Sequence, residues 1–278
     1  MPSPSTVTDH YGHGSLIESI RAGISQLGKT PDELTIDDLG PLDEFHIGGR
    51  AATEHFLSQL DIQPTHRVLD LGCGLGGASR FTAQRYSCQV SGVDLTPEYI
   101  ATGKVLCDWV GLSSQVQLQV GDVAALPHAD AAFDRAYMMH VGMNIRDKSS
   151  VATEVFRVLR PDGLIGIYDI MTIEDGPIDY PVPWASSADG SALASPAEYK
   201  NALAAAGFEV ISEHNRRDFA LAFFEQLQAK ANAGNGPPPL GLHLVMGKNA
   251  PIKIKNMIGS IAQGKISPVE LIAIKPGA

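Results

Sequence analysis

The stretch Val68-Leu69-Asp70-Leu71-Gly72-Cys73-Gly74-Leu75-Gly76-Gly77 constrains this chain more than any other part of it. A short apolar run leads directly into glycines, and a helix-length segment, Ala78 to Tyr86, follows. A strand that turns through glycines into a helix presents backbone N–H groups and a helix N-terminus, with no side chains to keep a ligand at a distance. Dinucleotide-binding sheets use such a turn with GxGxxG spacing. Here Gly72, Gly74 and Gly76 are spaced GxGxG, and Gly77 falls one position late for the other pattern. A tight turn that binds nothing is the third reading.

From Arg67 to Asp169 short β-rich runs alternate with helix-length segments, which predicts βαβ units and a parallel sheet with helices on both faces. Strands are expected at Arg67 to Leu71, Gln89 to Asp94, Val116 to Val120, Phe133 to Met139 and Gly163 to Asp169. Helices are expected at Ala78 to Tyr86, Pro97 to Val110 and Lys148 to Leu159, the last with Val151, Val155, Val158 and Leu159 at helical spacing. Past Asp169 the prolines Pro177, Pro181 and Pro183 predict a long connection over residues 173–193, of the kind that covers active sites. A helix Pro196 to Ala206, a strand Phe208 to Glu213, a helix Phe219 to Ala231, the break Asn235-Gly236-Pro237-Pro238-Pro239, a helix Ile252 to Ala262 and a strand Val269 to Ile274 complete the chain. Upstream, Leu16 to Leu27 and Gly49 to Leu60 read as helices separated by an acidic, turn-rich stretch. The expected organisation is an N-terminal helical cap over residues 1–60, then an α/β domain over 61–278 with a helical insertion at 219–265.

A chain of 278 residues with 44% hydrophobic and 19% charged residues can bury a full core. Its net charge of −10 gives no electrostatic footprint for nucleic acid, which favours a small-molecule partner. Lys248, Lys253, Lys255 and Lys265 read as a solvated helix face. Cys73, Cys88 and Cys107 lack CxxC spacing, so neither a disulfide framework nor a metal site is expected. No leader pattern and no apolar run of about 18 residues is present, and a cytoplasmic location is the expectation. A homodimer is left open.

The acidic residues around the turn narrow its ligand. Asp70, directly before the glycines, suits a ligand with an ammonium group and a positive sulfur better than an anionic pyrophosphate, and S-adenosylmethionine has both. Asp94, with Leu95 after it, ends the second strand where a carboxylate can accept ribose hydroxyls, or cap the next helix. Asp122 ends the third strand where it can accept the adenine amino group, while the backbone N–H of Val123 meets a ring nitrogen. Phe133-Asp134 opens the fourth strand, and Arg157-Val158-Leu159-Arg160-Pro161-Asp162-Gly163 precedes the fifth.

In this order the motifs closely resemble the class I S-adenosylmethionine-dependent methyltransferases, over Arg67 to Asp169. The resemblance implies a Rossmann-like, doubly wound seven-stranded sheet with an antiparallel last strand. It also implies a methionine end held by Gly72 and by the backbone after Tyr137, at Met138. Two flanking pieces are similar to the phosphoethanolamine and sarcosine/dimethylglycine N-methyltransferases. Phe45-His46-Ile47-Gly48-Gly49-Arg50 matches a Gly-Gly element that touches the methionyl end there, which brings in Gly48 and His46. Asp9-His10-Tyr11-Gly12 matches their tyrosine-bearing lid, which makes Tyr11 a catalytic candidate or a surface tail residue.

Methyl transfer is an in-line displacement, so a site must align the acceptor, exclude water and, for some acceptors, take a proton. His140, just past the fourth strand, is a candidate base or substrate contact, or a packed histidine bonded to backbone. Asn144 falls near the position of a catalytic histidine in the phosphoethanolamine enzymes, which counts against a phosphobase; it can hold a substrate group or cap the next helix. Met143, Trp184 and His243 are candidate substrate contacts, each with core packing as its alternative. The resemblance slightly favours an amine acceptor over oxygen, sulfur or carbon. The other classes considered are a nicotinamide-dependent oxidoreductase and a non-catalytic S-adenosylmethionine-binding protein.

Overall fold

The structure, a computed structural model, describes residues 16–234, 238–246 and 249–277. Its centre is a seven-stranded sheet of order β3-β2-β1-β4-β5-β7-β6. The strands are β1 (Arg67–Leu71), β2 (Gln89–Asp94), β3 (Val116–Val120), β4 (Phe133–Met139), β5 (Leu159–Thr172), β6 (Glu209–Asn215) and β7 (Ile266–Ile274). β1 to β5 run parallel and β7 lies antiparallel between β5 and β6, as the resemblance implies.

The helices, in chain order, are α1 (Leu16–Gln26), α2 (Ile36–Asp43), α3 (Gly49–Ser58), α4 (Gly77–Tyr86), α5 (Pro97–Trp109), α6 (Lys148–Val158), α7 (Pro196–Ala206), α8 (Arg217–Ala233), α9 (His243–Met246) and α10 (Ala250–Ala262). β1 to β4 keep their predicted bounds because each is a short apolar run between clear breakers. β5 is longer than predicted at both ends: Leu159 pairs with Phe133 across an irregularity, and the strand runs on to Thr172 because β7, starting at Ile266, pairs with it that far.

The stretch between the first two predicted helices is not simply a turn. It holds a 3-10 turn, Pro31–Glu33, and α2. The Thr35 hydroxyl accepts from the Asp38 N–H, and Asp38 returns to the Thr35 N–H, so the acidic residues that read as turn formers start a helix. Lys29 also meets Asp38 at 2.6 Å, and with Thr35 it holds that carboxyl down at about 2. The solvated-face reading of the lysines fails at Lys253, which is buried with Nζ turned to the Met246 carbonyl. Lys248 lies outside the described residues.

Two apolar layers flank the sheet. Val151, Val155 and Val158 of α6 and Tyr199 and Leu203 of α7 pack on one face with Leu69, Met138 and Ile167. Phe56 and Leu57 of α3 pack on the other with Val68, Tyr137 and Tyr168. Leu16, Ile20 and Ile24 of α1 and Leu39 and Leu42 of α2 cluster with Leu75, Tyr99 and Leu106, which brings the cap over the glycine turn. Among the described residues no helix is long and apolar enough to cross a membrane.

Candidate active site

Strand order reverses at β1, whose neighbours are β2 and β4, and the loops leaving β1 and β4 open a crevice between them. In sheets of this kind ligands bind at that point. A cavity of about 700 Å³ lies here. Gly72 (φ +73°), Gly74 (φ +53°) and Gly76 (φ +76°) all take the left-handed backbone that glycine tolerates. At Gly72 a Cβ would stand 2.4 Å from Cγ2 of Val141, so the two loops touch through a position that only glycine fits.

The cavity gathers most of the predicted residues. Asp70, Gly72, Gly74, Asp94, Leu95, Asp122 and Val123 line one end, and His46, His140, Met143, Asn144 and Trp184 also line it. Asp70 Oδ2 accepts from Ser79 Oγ at 2.6 Å and from Tyr137 Oη at 3.1 Å. Burial pushes this carboxyl up to about 7. Asp94 accepts from the Gly74 N–H through Oδ2 at 2.9 Å and from the Thr96 N–H through Oδ1 at 2.8 Å, which fixes the plane of its carboxylate. Burial raises Asp94 too, with the Thr96 and Gly74 N–H groups pulling the other way. Asp122 Oδ1 accepts from the Ala124 N–H at 2.9 Å.

Four predicted positions fall elsewhere. Met138 packs in the core, since side chains alternate along a strand, and the cavity is reached by Met139, His140 and Val141 instead. Gly76 caps α4 and lies against Leu118, where a Cβ would come within 2.8 Å. Gly48 caps α3 with φ +96° beneath Phe219, and its neighbours His46 and Ile47 face the cavity. His243 is exposed, while Leu242, Val245 and Met246 around it line the wall. Tyr11 lies outside the described residues.

The geometry of His140 does not suit a base. Its Nδ1 lies 3.2 Å from the Tyr168 carbonyl, and its Nε2 accepts from the Ile47 N–H at 3.4 Å. Burial carries its imidazole well below the usual histidine range, so it is neutral and bonded to main chain on both sides. Asn144 sits in a 3-10 turn, Gly142–Asn144, and its Nδ2 donates to the Val141 carbonyl at 3.3 Å. The helix cap it was weighed for belongs to Asp147, whose side chain accepts from the Ser150 N–H. Trp184 is buried and donates from Nε1 to Ser191 Oγ at 3.0 Å.

Several cavity residues have no motif of their own. Asp43 and Glu44 close α2, and Phe223, Phe224 and Leu227 come from α8. The apolar stripe Phe219, Phe223, Phe224, Leu227 along α8 is the signal that would have found them. The buried Glu44 takes His46 Nε2 at 2.9 Å and Arg50 Nε at 2.8 Å. Burial raises the Glu44 carboxyl, but His46 and Arg50 outweigh that and hold it below its ordinary value.

Residues 68–163 match the methyltransferase domain family. That segment carries a methyltransferase domain. The methyltransferase GfsG of Streptomyces halstedii is 31% identical over 61% of this chain and 60% of its own length. The glycine/sarcosine/dimethylglycine N-methyltransferase of Actinopolyspora halophila is 28% identical over 63% of this chain and 32% of its own length. Both matches thus take in less than two thirds of the relative. Among solved structures, the [4+2]-cyclase SpnF superposes with a TM-score of 0.68 at 21% identity, over 93% of this chain and 94% of that one, which shows the shared fold.

The cofactor of this methyltransferase family is S-adenosylmethionine, and the donor set fits it. A buried carboxylate at Asp70 faces the cavity for a cationic group, and the fixed carboxylate of Asp94 has lone pairs left for hydroxyls.

Proposed function

We propose that this protein transfers a methyl group from S-adenosylmethionine to a small molecule held in the cavity between the β1 and β4 loops. One observation carries the reading: a single cavity joins the carboxylates of Asp70, Asp94 and Asp122 to a wall formed by the 173–193 connection, α8 and α10. The donor supplies a methyl already activated by its sulfonium. The protein's work is to bind, align and exclude water.

In this reading Asp70 and the Gly72 backbone hold the methionine end, Asp94 and Leu95 the ribose, and Asp122 and Val123 the adenine. His46 lines the cavity and takes the acceptor's proton at Nδ1, which lies 3.4 Å from the Ile47 carbonyl. Its ring is oriented by Glu44 and by Thr53 Oγ1, which lies 2.9 Å from Nε2. His140 holds the β4 loop against Ile47 rather than acting as the base. Met143, Asn144 and Trp184 line the acceptor end. The matched relatives include N-, O- and C-methyltransferases, so the family gives an amine no preference as acceptor.

Calorimetry with S-adenosylmethionine, S-adenosylhomocysteine and NAD tests the cofactor, and S-adenosylhomocysteine formation over a small-metabolite panel tests the activity. Binding of NAD alone would overturn the reading. Binding of S-adenosylmethionine with no turnover on any acceptor would favour a non-catalytic role.

A further inference from the structure

We infer that the methyl acceptor is an uncharged, largely apolar molecule rather than an amino acid or a phosphate ester. The inference rests on reading the cavity as a methyl-transfer site and adds the acceptor's class.

The cavity has two chemically different ends. Asp70, Asp94 and Asp122 mark the end at the glycine turn. At the other, Ile47, Met143, Trp184, Phe223, Phe224 and Met257 line the space and belong to, or pack against, one apolar cluster. These six come from five separate segments: the approach to α3, the β4 loop, the 173–193 connection and the helices α8 and α10. Apolar side chains converging from so many segments are a wall, not one helix's leftover face.

Charge decides against an anionic acceptor. Among the described residues lining the cavity there is neither lysine nor arginine, whereas Asp43, Glu44, Asp70, Asp94 and Asp122 all line it. Of the residues outside those described, 1–15 contain no lysine or arginine, and Lys248, between the lining residues Met246 and Pro251, is the one cation among them. Lys253, the buried lysine of α10, has Nζ on the Met246 carbonyl. A carboxylate or phosphate entering this space would shed its water with no lysine or arginine of the described wall to replace it; Asp43 and Glu44 are already paired with Arg80 and Arg50, and Asp70, Asp94 and Asp122 are the carboxylates that repel it. An unpaired buried charge is a strong means of rejecting a ligand.

The cavity of about 700 Å³ holds the donor as well as the acceptor, so the wall of α8 and α10, and not the whole volume, bears on the acceptor's size. An acceptor as small as sarcosine would leave the wall of α8 and α10 without contact. The polar groups on offer, His46, Asn144 and Gln228, suit an acceptor with few polar atoms on an apolar body.

The test uses the full chain saturated with S-adenosylhomocysteine and titrated with 1-naphthol, farnesol, sarcosine and phosphoethanolamine, followed by calorimetry and by tryptophan fluorescence, to which Trp184 reports. The neutral probes are expected to bind at least about tenfold more tightly than the two charged ones. Phe223→Ala and Met257→Ala should each weaken 1-naphthol by about three- to tenfold. Their affinity for S-adenosylhomocysteine should stay at the wild-type value, which also shows that they fold. Sarcosine or phosphoethanolamine binding as tightly as the neutral probes, or no binding of the neutral probes to the loaded protein, would overturn the inference. Failure to bind S-adenosylhomocysteine at all would instead overturn the methyltransferase reading, so the two failures are distinct.

Discussion

Asp43 at the end of α2 and Arg80 in α4 form an ion pair in which neither side chain is more than 1% exposed. Arg80 Nη1 also donates to the Leu75 carbonyl, inside the glycine turn, at 2.7 Å. The pair therefore fastens the cap to the loop that frames the cavity. Burial pushes the Asp43 carboxyl up to about 6 against the pull of the guanidinium. Removing one partner strands the other without a counter-charge, at a cost of about 3–5 kcal/mol. Arg80→Ala and Asp43→Ala should each lose that much in urea unfolding, and the double variant less than the sum of the two. Single variants within about 1 kcal/mol of wild type would show that the pair does not tie the cap down.

The Glu44–His46 contact calls for a kinetic experiment. A base held by a buried carboxylate loses most of its catalytic effect when it is removed, and such groups contribute about 10²- to 10⁴-fold. His46→Ala should lower turnover within that range, and Glu44→Gln by a smaller factor, because it keeps the ring while weakening what orients it and takes a counter-charge from Arg50. Affinity for S-adenosylhomocysteine should barely move in either. An acid limb in the pH–rate profile that survives His46→Ala unchanged would assign the proton to another group.

Asp94 is held by two main-chain N–H groups before any ligand arrives. Such a carboxylate accepts further hydrogen bonds without reorganising, so its removal should register directly in binding. Asp94→Ala is expected to weaken S-adenosylmethionine by about 1–3 kcal/mol in calorimetry. Unchanged affinity would remove Asp94 from the ribose site.

The parallel half of the sheet was readable because each strand is an apolar run ending in residues with a defined task. Asp134 shows the principle: one carboxylate oxygen takes the Arg67 N–H and the other takes Arg160, which clamps the starts of β1 and β4 to the start of β5. The carboxylate end of the cavity was legible for the same reason, since Asp70, Asp94 and Asp122 sit at strand ends and main-chain turns. The acceptor end was not. Its wall comes from α8 and α10, distant in sequence from the glycine turn, and no local spacing says which face of a helix will close over a sheet edge. His140 and Asn144 each had two readings in the sequence because a polar residue at a strand end can serve its own loop, and the partners of its ring or amide separate the two. Asp43 and Glu44 went unseen because α2 itself read as a turn.

The position of Asp70 makes ligand binding depend on pH in a defined direction. Its folded-state value of about 7 lies above its ordinary 3.8, because burial disfavours the charged form. The stability it contributes is therefore fully present below pH 3.8 and is lost as pH rises through about 7. A cationic ligand group beside it reverses the preference: binding favours the carboxylate and so releases a proton. Affinity for S-adenosylhomocysteine should rise as pH increases from about 5.5 to about 7, by no more than about tenfold per unit. In the same range the binding enthalpy should change between buffers of different ionisation enthalpy. Asp70→Asn should flatten both trends and weaken binding at pH 7. An affinity in the wild type that stays level across this range, with no buffer dependence, would mean that Asp70 does not face the ligand's ammonium group.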